Sequence, residues 1–465
     1  MDCVMEFPGE MGTASYVGAI NGTDLDRLDA AHVWYPFTQM RDHDTHPALR
    51  IDRGEGCWLW DHTGRKYLDG NASIWTALHG HGDPDLNRAL IDQLGKVAHS
   101  TYLGLGHAPG TCLAAKLAEI SPSGLDRVFY SDNGSSAVEI ALKLSFQYWQ
   151  LTGQPERRRV IALESAYHGD TFGAMSVGDS GVFHQRFRPW CFPVDRIPSP
   201  GCEEHAGAVL HEDMAVSLEA LDRLLSEKSH EFAALILEPW VQGAAGMRLQ
   251  PRGFLRAVSQ RCRAHGVHLI VDEVFVAFGR CGPLLVCLEE GVAPDFLCLA
   301  KGLAGGYLPL AATLASETIY QVFIGEFGAC KAFFHGHTFT GNPLATAVAL
   351  KSIEKVEAYR DSGRLGEAIN AFGELFWRLR RQLPPPIRLR QRGLVGAIDL
   401  PPGNLNHRRG LRFCLALREC GVLLRALGDS LLLVPPLIIS REELLFLEHA
   451  LLATFTRLGY LERTA

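Results

Sequence analysis

Between about residues 125 and 315 the chain alternates short apolar runs with amphipathic stretches. The runs occupy 128–130, 160–163, 234–237, 268–271, 296–300 and 310–314. They are continuous rather than alternating, as in strands buried on both faces, and the stretches between them have a helical period. In 136–150, for example, Ala137, Ile140, Ala141, Leu144 and Tyr148 share one stripe. This pattern predicts an α/β layer architecture with a largely parallel sheet. After Asn342-Pro343 a helical pattern runs to about 359, Asp361-Ser362-Gly363 interrupts it, and a second helix follows to about 381. Strand-like 387–400, a helix near 407–420, strand-like 421–435 and a helix over about 441–457 complete a smaller α/β domain. Short strands at 57–60 and 66–68 are expected to pack with it. The expected division is a flexible extension at 1–31, a segment at 32–75 that packs with the small domain, a large domain at 76–345 and the small domain at 346–465.

Composition narrows the class. The 465 residues are 47% hydrophobic and 21% charged, enough for a large core and more than one domain. A net charge of -7 argues against nucleic acid as a partner. No apolar run approaches the ~18–20 residues of a membrane span. Residues 1–30 lack the basic head and apolar core of a secretory signal. The 12 cysteines are scattered without a Cys-x-x-Cys, which suggests reduced thiols in the cytoplasm. His79-Gly80-His81 and His335-Gly336-His337 are histidine pairs, but no Cys or carboxylate completes a metal set near either in sequence.

Two of the apolar runs end in charge. The run 268–271 ends in Asp272-Glu273, and the run 296–300 ends in Lys301-Gly302. A charge at the end of a buried strand is costly unless it meets a partner or a cofactor. Pyridoxal phosphate needs both groups: a lysine to form its Schiff base, and an aspartate to keep its pyridine nitrogen protonated. Desolvation at Lys301 would favour the free amine that imine formation requires. Glu273 competes with Asp272 for the cofactor role, and Asp272 is closer to the buried strand. Val274 or Phe275 is placed to pack on a ring face.

The phosphate needs backbone N–H donors at a helix N-terminus. Ser131-Asp132-Asn133-Gly134-Ser135-Ser136 lies between a strand and a helix, with Gly134 for close approach and the Ser135 hydroxyl as a donor; a plain capped turn has the same residues. Gly104-Leu105-Gly106-His107-Ala108-Pro109-Gly110 misses the dinucleotide spacing, and no P-loop occurs. Tyr167, in Tyr167-His168-Gly169-Asp170-Thr171, could stack on the pyridine ring or stand in a polar loop. His335-Gly336-His337-Thr338 offers a hydroxyl in a Gly-containing turn. Arg425 interrupts an apolar run, as a carboxylate-binding guanidinium or a structural ion pair would.

In this order these residues resemble the class III aminotransferases of fold type I, over roughly 32–455. Within that family, several segments resemble the branch that makes 7,8-diaminopelargonate for biotin. They are His32-Val-Trp-Tyr-Pro-Phe-Thr-Gln-Met40, Val128-Phe-Tyr-Ser-Asp-Asn-Gly-Ser135, Tyr167-His-Gly-Asp-Thr-Phe-Gly-Ala-Met-Ser176, His335-Gly-His-Thr338 with Gly341-Asn342-Pro343, and Leu424-Arg425. The resemblance implies a fold type I transferase, its large domain built on a mostly parallel seven-stranded sheet with a smaller α/β domain beside it. It implies transamination of 8-amino-7-oxononanoate (KAPA) to 7,8-diaminononanoate, with pyridoxal 5′-phosphate as cofactor, in a cytoplasmic homodimer with shared active sites. By motif, Lys301 becomes the Schiff-base lysine and proton-transfer base, and Asp272 the pyridinium partner. Gly134 and Ser135 bind phosphate, with His337 and Thr338 reaching in from the other subunit. Tyr167 is a cofactor and substrate contact. Phe37, Ile74, Trp75, Gly336 and Arg425 fall at substrate positions, with Arg425 on the carboxylate.

The chain also departs from the family pattern. Ile74-Trp75 stands where an aromatic pair is common, Phe37 where a tyrosine often stands, and His337 where a proline is frequent. Val276-Ala277 replaces a usual Thr-Gly pair, which narrows the cofactor face. The other changes resemble the branch that takes lysine rather than S-adenosylmethionine as amino donor, so both donors stay open. The alternatives are another class III aminotransferase acting on an ω-amino acid or acetylornithine, an aminomutase on the same fold, and a protein that binds the coenzyme without catalysis.

Overall fold

Residues 22–205 and 208–462 are described in a computed structural model. The expected extension at 1–31 lies outside the described residues up to position 21. From there the chain forms a helix, Gly22–His32.

The chain forms two compact units. The first comprises Met1–Gly54 and Leu59–Lys66, and the second Glu55–Trp58 and Tyr67–Ala465. The first unit is tied by Arg50 to Asp26 (2.7 Å), by the Tyr35 hydroxyl to Asp29 (2.7 Å) and by the Arg53 guanidinium 3.8 Å over the Trp60 ring.

The second unit is built on a seven-stranded sheet. Its strands are β1 (Arg127–Ser131), β2 (Arg159–Leu163), β3 (Asp195–Ile197), β4 (Phe232–Leu237), β5 (His268–Asp272), β6 (Phe296–Leu299) and β7 (Ala311–Ala315). They are ordered β1-β7-β6-β5-β4-β2-β3. Only β7 runs against the rest. Every residue of β4, β5, β6 and β7 is buried, as both-face burial of apolar runs requires. Each Leu or Ile there contributes about 1.5–3 kcal/mol relative to exposure. Six of these strands follow from the apolar runs. The seventh, β3, is three residues long and begins Asp195-Arg196, so it carries no apolar signal and takes the sheet edge.

Helix α1 (Gly134–Leu151) covers one face and buries Ala137, Ile140, Ala141 and Leu144. Helices α2 (Pro343–Asp361) and α3 (Arg364–Gln382) meet at Gly363, whose φ of 80° lets the chain turn between them. A second sheet, all antiparallel, comprises β8 (Arg388–Arg392), β9 (Val395–Asp399), β10 (Arg425–Leu427) and β11 (Ser430–Leu433), ordered β8-β9-β11-β10. Helix α4 (Arg441–Arg457) starts at a capping box formed by Ser440 and Glu443. Leu68 and Asp69 pair in parallel with Val422 and Leu423, so the early chain and the C-terminal region share backbone bonds. No described helix is long and apolar enough to cross a membrane.

Candidate active site

The parallel strands point one way, so their carboxyl ends share one edge of the sheet, where α/β folds bind ligands. β1 runs into Gly134, β2 toward Tyr167 and His168, β4 into Glu238, β5 ends at Asp272, and β6 runs into Lys301. Cys298 is in register with Asp272, and Val271 with Leu237, so Glu238, Asp272 and Lys301 leave three neighbouring strands together.

Lys301 begins a 3-10 turn in a left-handed conformation, φ 48°. Its amine lies 5.1 Å from the Trp75 ring and 5.7 Å from that of Phe275, and makes no hydrogen bond or ion pair among the described residues. Part of its surface meets solvent, yet protein packs densely around it. Burial lowers its pKa, against the opposing charges of Asp272 and Glu238.

Asp272 is 5% exposed. Its Oδ2 lies 2.7 Å from Nδ1 of buried His168, and its Oδ1 accepts from the Val274 N–H at 3.0 Å. An ionised carboxylate only accepts, so Nδ1 carries the proton. His168 Nε2 is buried without a partner. Glu273 turns elsewhere: its two oxygens accept from the N–H groups of Val286 and Cys287, both at 2.7 Å. It serves a short helix, Val286–Glu289, and leaves Asp272 as the carboxylate beside His168.

Sequence reasoning missed Glu238 and the role of His168. Glu238 ends a buried strand as Asp272 does, and that signal was available. Its oxygens accept from the N–H groups of Tyr167 (3.0 Å) and Gly243 (3.1 Å). Burial, helped by the Asp272 charge and opposed by His168, raises its pKa from 4.5 to about 7. Unfolded, this acid ionises near 4.5; folded, it holds its proton to about 7. Its contribution is therefore nil below pH 4.5, grows unfavourable as pH rises to 7, and is constant above, at roughly 3 kcal/mol. Glu238→Gln should remove this slope. In urea unfolding, the variant should gain on the wild type between pH 4.5 and 7.5; an equal difference at both pH values contradicts the assignment.

At the other end, Asn133 caps α1 by accepting from Ser136 N–H (3.0 Å). The Gly134 and Ser135 N–H groups have no partner among the described residues. Ser135 Oγ lies 2.7 Å from Thr171 Oγ1, and Thr171 N–H donates to Ser135 Oγ at 3.1 Å. Glu139 holds that loop, accepting from Thr171 Oγ1, Gly173 N–H and Ala174 N–H. A Cβ on Gly134 would stand 2.6 Å from Val274 Cγ1, so only glycine allows this turn to close on the Asp272–Val274 segment. Orphan donors at a helix N-terminus and a carboxylate a short step away fit a phosphate and a pyridine nitrogen of one coenzyme. Gly134→Ala should force Val274 aside at a cost of about 1–3 kcal/mol and weaken coenzyme affinity by roughly 5- to 100-fold. Absorbance titration of the apoprotein checks this, and unchanged affinity would contradict the cradle.

The remaining candidates fall at several places. The Tyr167 hydroxyl donates to Asp170 (2.9 Å), and its ring stacks on His184 at 5.8 Å between centroids. Arg425 opens β10 in register with Leu432, and its guanidinium forms no ion pair or hydrogen bond among the described residues, which leaves the structural-ion-pair alternative without a partner. Gly336 and Thr338 are exposed, between the exposed rings of Phe334 and Phe339. His337 Nε2 is 4.0 Å from Asp132 Oδ1. Phe37 belongs to the first unit and is exposed. Val276 packs with Trp75 and Phe275 in one buried cluster, and Ala277 lies in the main core.

Trp75 is buried and packs against Phe275, 4.5 Å between centroids with the rings tilted by 47°, while Ile74 is exposed. Both sit in a turn where Ala72, Ser73, Ile74 and Trp75 all have positive φ. A left-handed turn of L-residues costs about 1–2 kcal/mol per residue, roughly 4–8 kcal/mol for the four.

The family model "Aminotransferase class-III" matches residues 39–452. The adenosylmethionine-8-amino-7-oxononanoate aminotransferase of Geobacter sulfurreducens is 44% identical over 91% of this chain and 95% of its own. The crystal structure of the adenosylmethionine-8-amino-7-oxononanoate aminotransferase of Methanocaldococcus jannaschii superposes with a TM-score of 0.88 at 37% identity, over 94% of this chain and 99% of that one. A PLP-bound amine transaminase from an uncultivated Pseudomonas species does so with a TM-score of 0.83 at 32% identity, over 92% and 99%.

Proposed function

The chain belongs to the class III aminotransferases, and from that membership we propose that it transfers an amino group onto KAPA, giving 7,8-diaminononanoate for biotin synthesis. The cofactor is pyridoxal 5′-phosphate, which supplies an aldehyde for the amine and a ring that takes up electrons. The observation that carries the reading is an unpartnered Lys301 amine one strand from the buried Asp272 carboxylate.

In this reading Gly134 and Ser135 hold the phosphate through their free N–H groups, while the Ser135 hydroxyl donates to Thr171 Oγ1, whose own proton goes to Glu139. Asp272, fixed by His168 and the Val274 N–H, keeps a proton on the pyridine nitrogen. Lys301 Nζ, inclined by burial toward its free base, takes the proton leaving the substrate carbon and returns it. Arg425 binds the acceptor carboxylate bidentately. Ile74, Trp75, Tyr167 and Gly336 line the acceptor's path. The exposed segment around Phe334 and Phe339 supports a homodimer in which His337 and Thr338 complete the partner's phosphate site. A cytoplasmic location follows from the pathway.

Single-turnover absorbance tests the acceptor. Enzyme carrying the aminated coenzyme should recover its lysine-bound absorbance with KAPA. Recovery only with pyruvate or 2-oxoglutarate would overturn the assignment. With KAPA fixed, S-adenosylmethionine and lysine compared as donors decide between the two sources of the amino group.

A further inference from the structure

Asp69 is the last residue of the strand Lys66–Asp69 and is almost fully buried. Its Oδ1 accepts from Asn71 N–H at 3.1 Å, and its Oδ2 from Ser73 N–H at 2.9 Å and Ser73 Oγ at 3.2 Å. His81 Nε2 lies 2.9 Å from the same Oδ2. We propose that Asp69 and His81 are positioning residues that lock the left-handed turn Ala72–Trp75, and through it set Trp75 against Lys301. The proposal rests on the reading that this turn faces the substrate.

The geometry supports it link by link. The φ values of 43°, 46°, 64° and 72° at Ala72, Ser73, Ile74 and Trp75 include a β-branched and a bulky aromatic residue, both poorly suited to this region. Such a turn persists only where its surroundings over-determine it. Asp69 captures the N–H groups on both sides of Ala72, that of Asn71 buried and that of Ser73 part-buried. The Trp75 indole N–H then donates to Asn71 Oδ1 at 3.2 Å, so the ring is tied to a residue that Asp69 itself holds. Trp75 in turn meets Phe275 and the Lys301 amine.

His81 is fixed independently of the turn. It exchanges two backbone hydrogen bonds with Gly56, at 2.9 and 2.8 Å. Gly80 has no room for a side chain, since a Cβ would stand 2.4 Å from the Gly56 oxygen. Behind the turn, a Cβ on Gly306 would stand 2.9 Å from the Ala77 backbone. The carboxylate thus joins a rigid bridge to a strained segment, and neither Asp69 nor His81 touches the reacting groups.

The test uses holoenzyme labelled with 5-fluorotryptophan, with the Trp75 signal assigned by Trp75→Phe. His81→Leu should shift or broaden that fluorine signal while the other tryptophan signals, the coenzyme absorbance and the Tm hold. KM for KAPA should rise about tenfold or more, with a smaller change in kcat. His81→Gln, which keeps an N–H donor, should restore both, and Asp69→Asn should reproduce the defect. An unchanged Trp75 signal with unchanged KM in His81→Leu would overturn the proposal. So would general shifts with a lowered Tm in His81→Leu and His81→Gln alike, because the pair would then serve the fold. If the wild type fails to turn over KAPA, the substrate reading falls, while the fluorine signal still decides whether His81 holds the turn.

Discussion

Lys301→Ala should lower turnover by about 10⁴-fold, the upper end of what a positioned proton-transfer group supplies. Among the described residues Lys301 Nζ is an amine with no hydrogen bond or ion pair, whereas Glu238 is committed through both oxygens to backbone N–H groups. Coenzyme should still bind, because the Gly134–Ser135 donors and the Asp272 carboxylate remain. It should lose the absorbance of the lysine-bound form. A small primary amine added to the variant should restore part of the rate, since it replaces the missing free base. Lys301→Arg should not recover, because a guanidinium stays protonated. Activity within tenfold of wild type in the alanine variant would remove Lys301 from the chemistry.

The frame of this site was legible because buried parallel strands write themselves as unbroken apolar runs. Residues 234–237, 268–271 and 296–300 lie in strands buried throughout, and the helix read at 136–150 differs from α1 by one or two residues at each end. Edge elements were not legible. β3 is short and polar, and the paired strands Gly201–His205 and Ala208–Asp213 have no apolar alternation strong enough to name them.

The site divides along a similar line. Asp272 and Lys301 stood out as charges at the ends of apolar runs, and Glu238 obeys the same rule. The sequence favours Asp272 over Glu273 by its closeness to the buried strand, and the structure adds that adjacent residues leave a strand on opposite sides. The turn at Ala72–Trp75 was beyond sequence reasoning. Ile74 and Trp75 favour extended backbone, and the left-handed one is held by its own backbone hydrogen bonds together with the contacts of Asp69, distant His81 among them.

Asp272→Asn should cut turnover by about 10²–10³-fold, the usual loss when one preorganised electrostatic partner is removed. At 1.36 kcal/mol per decade this is about 3–4 kcal/mol of transition-state stabilisation. The shape survives: asparagine can still accept from the Val274 N–H, and His168 can change tautomer to meet the new amide. In the proposed function, the lost quantity is the negative charge that keeps the pyridine nitrogen protonated. A second consequence separates this from simple misfolding. The Asp272 charge opposes the burial that lowers the Lys301 pKa. Without it that pKa falls further, and more of the amine is free base at a given pH. The rate at which apoprotein captures an aldehyde follows that free-base fraction, so its rise with pH should move to lower pH in Asp272→Asn. A shift to higher pH, or none, would mean that the two side chains do not share a field and that their meeting around one coenzyme is wrong.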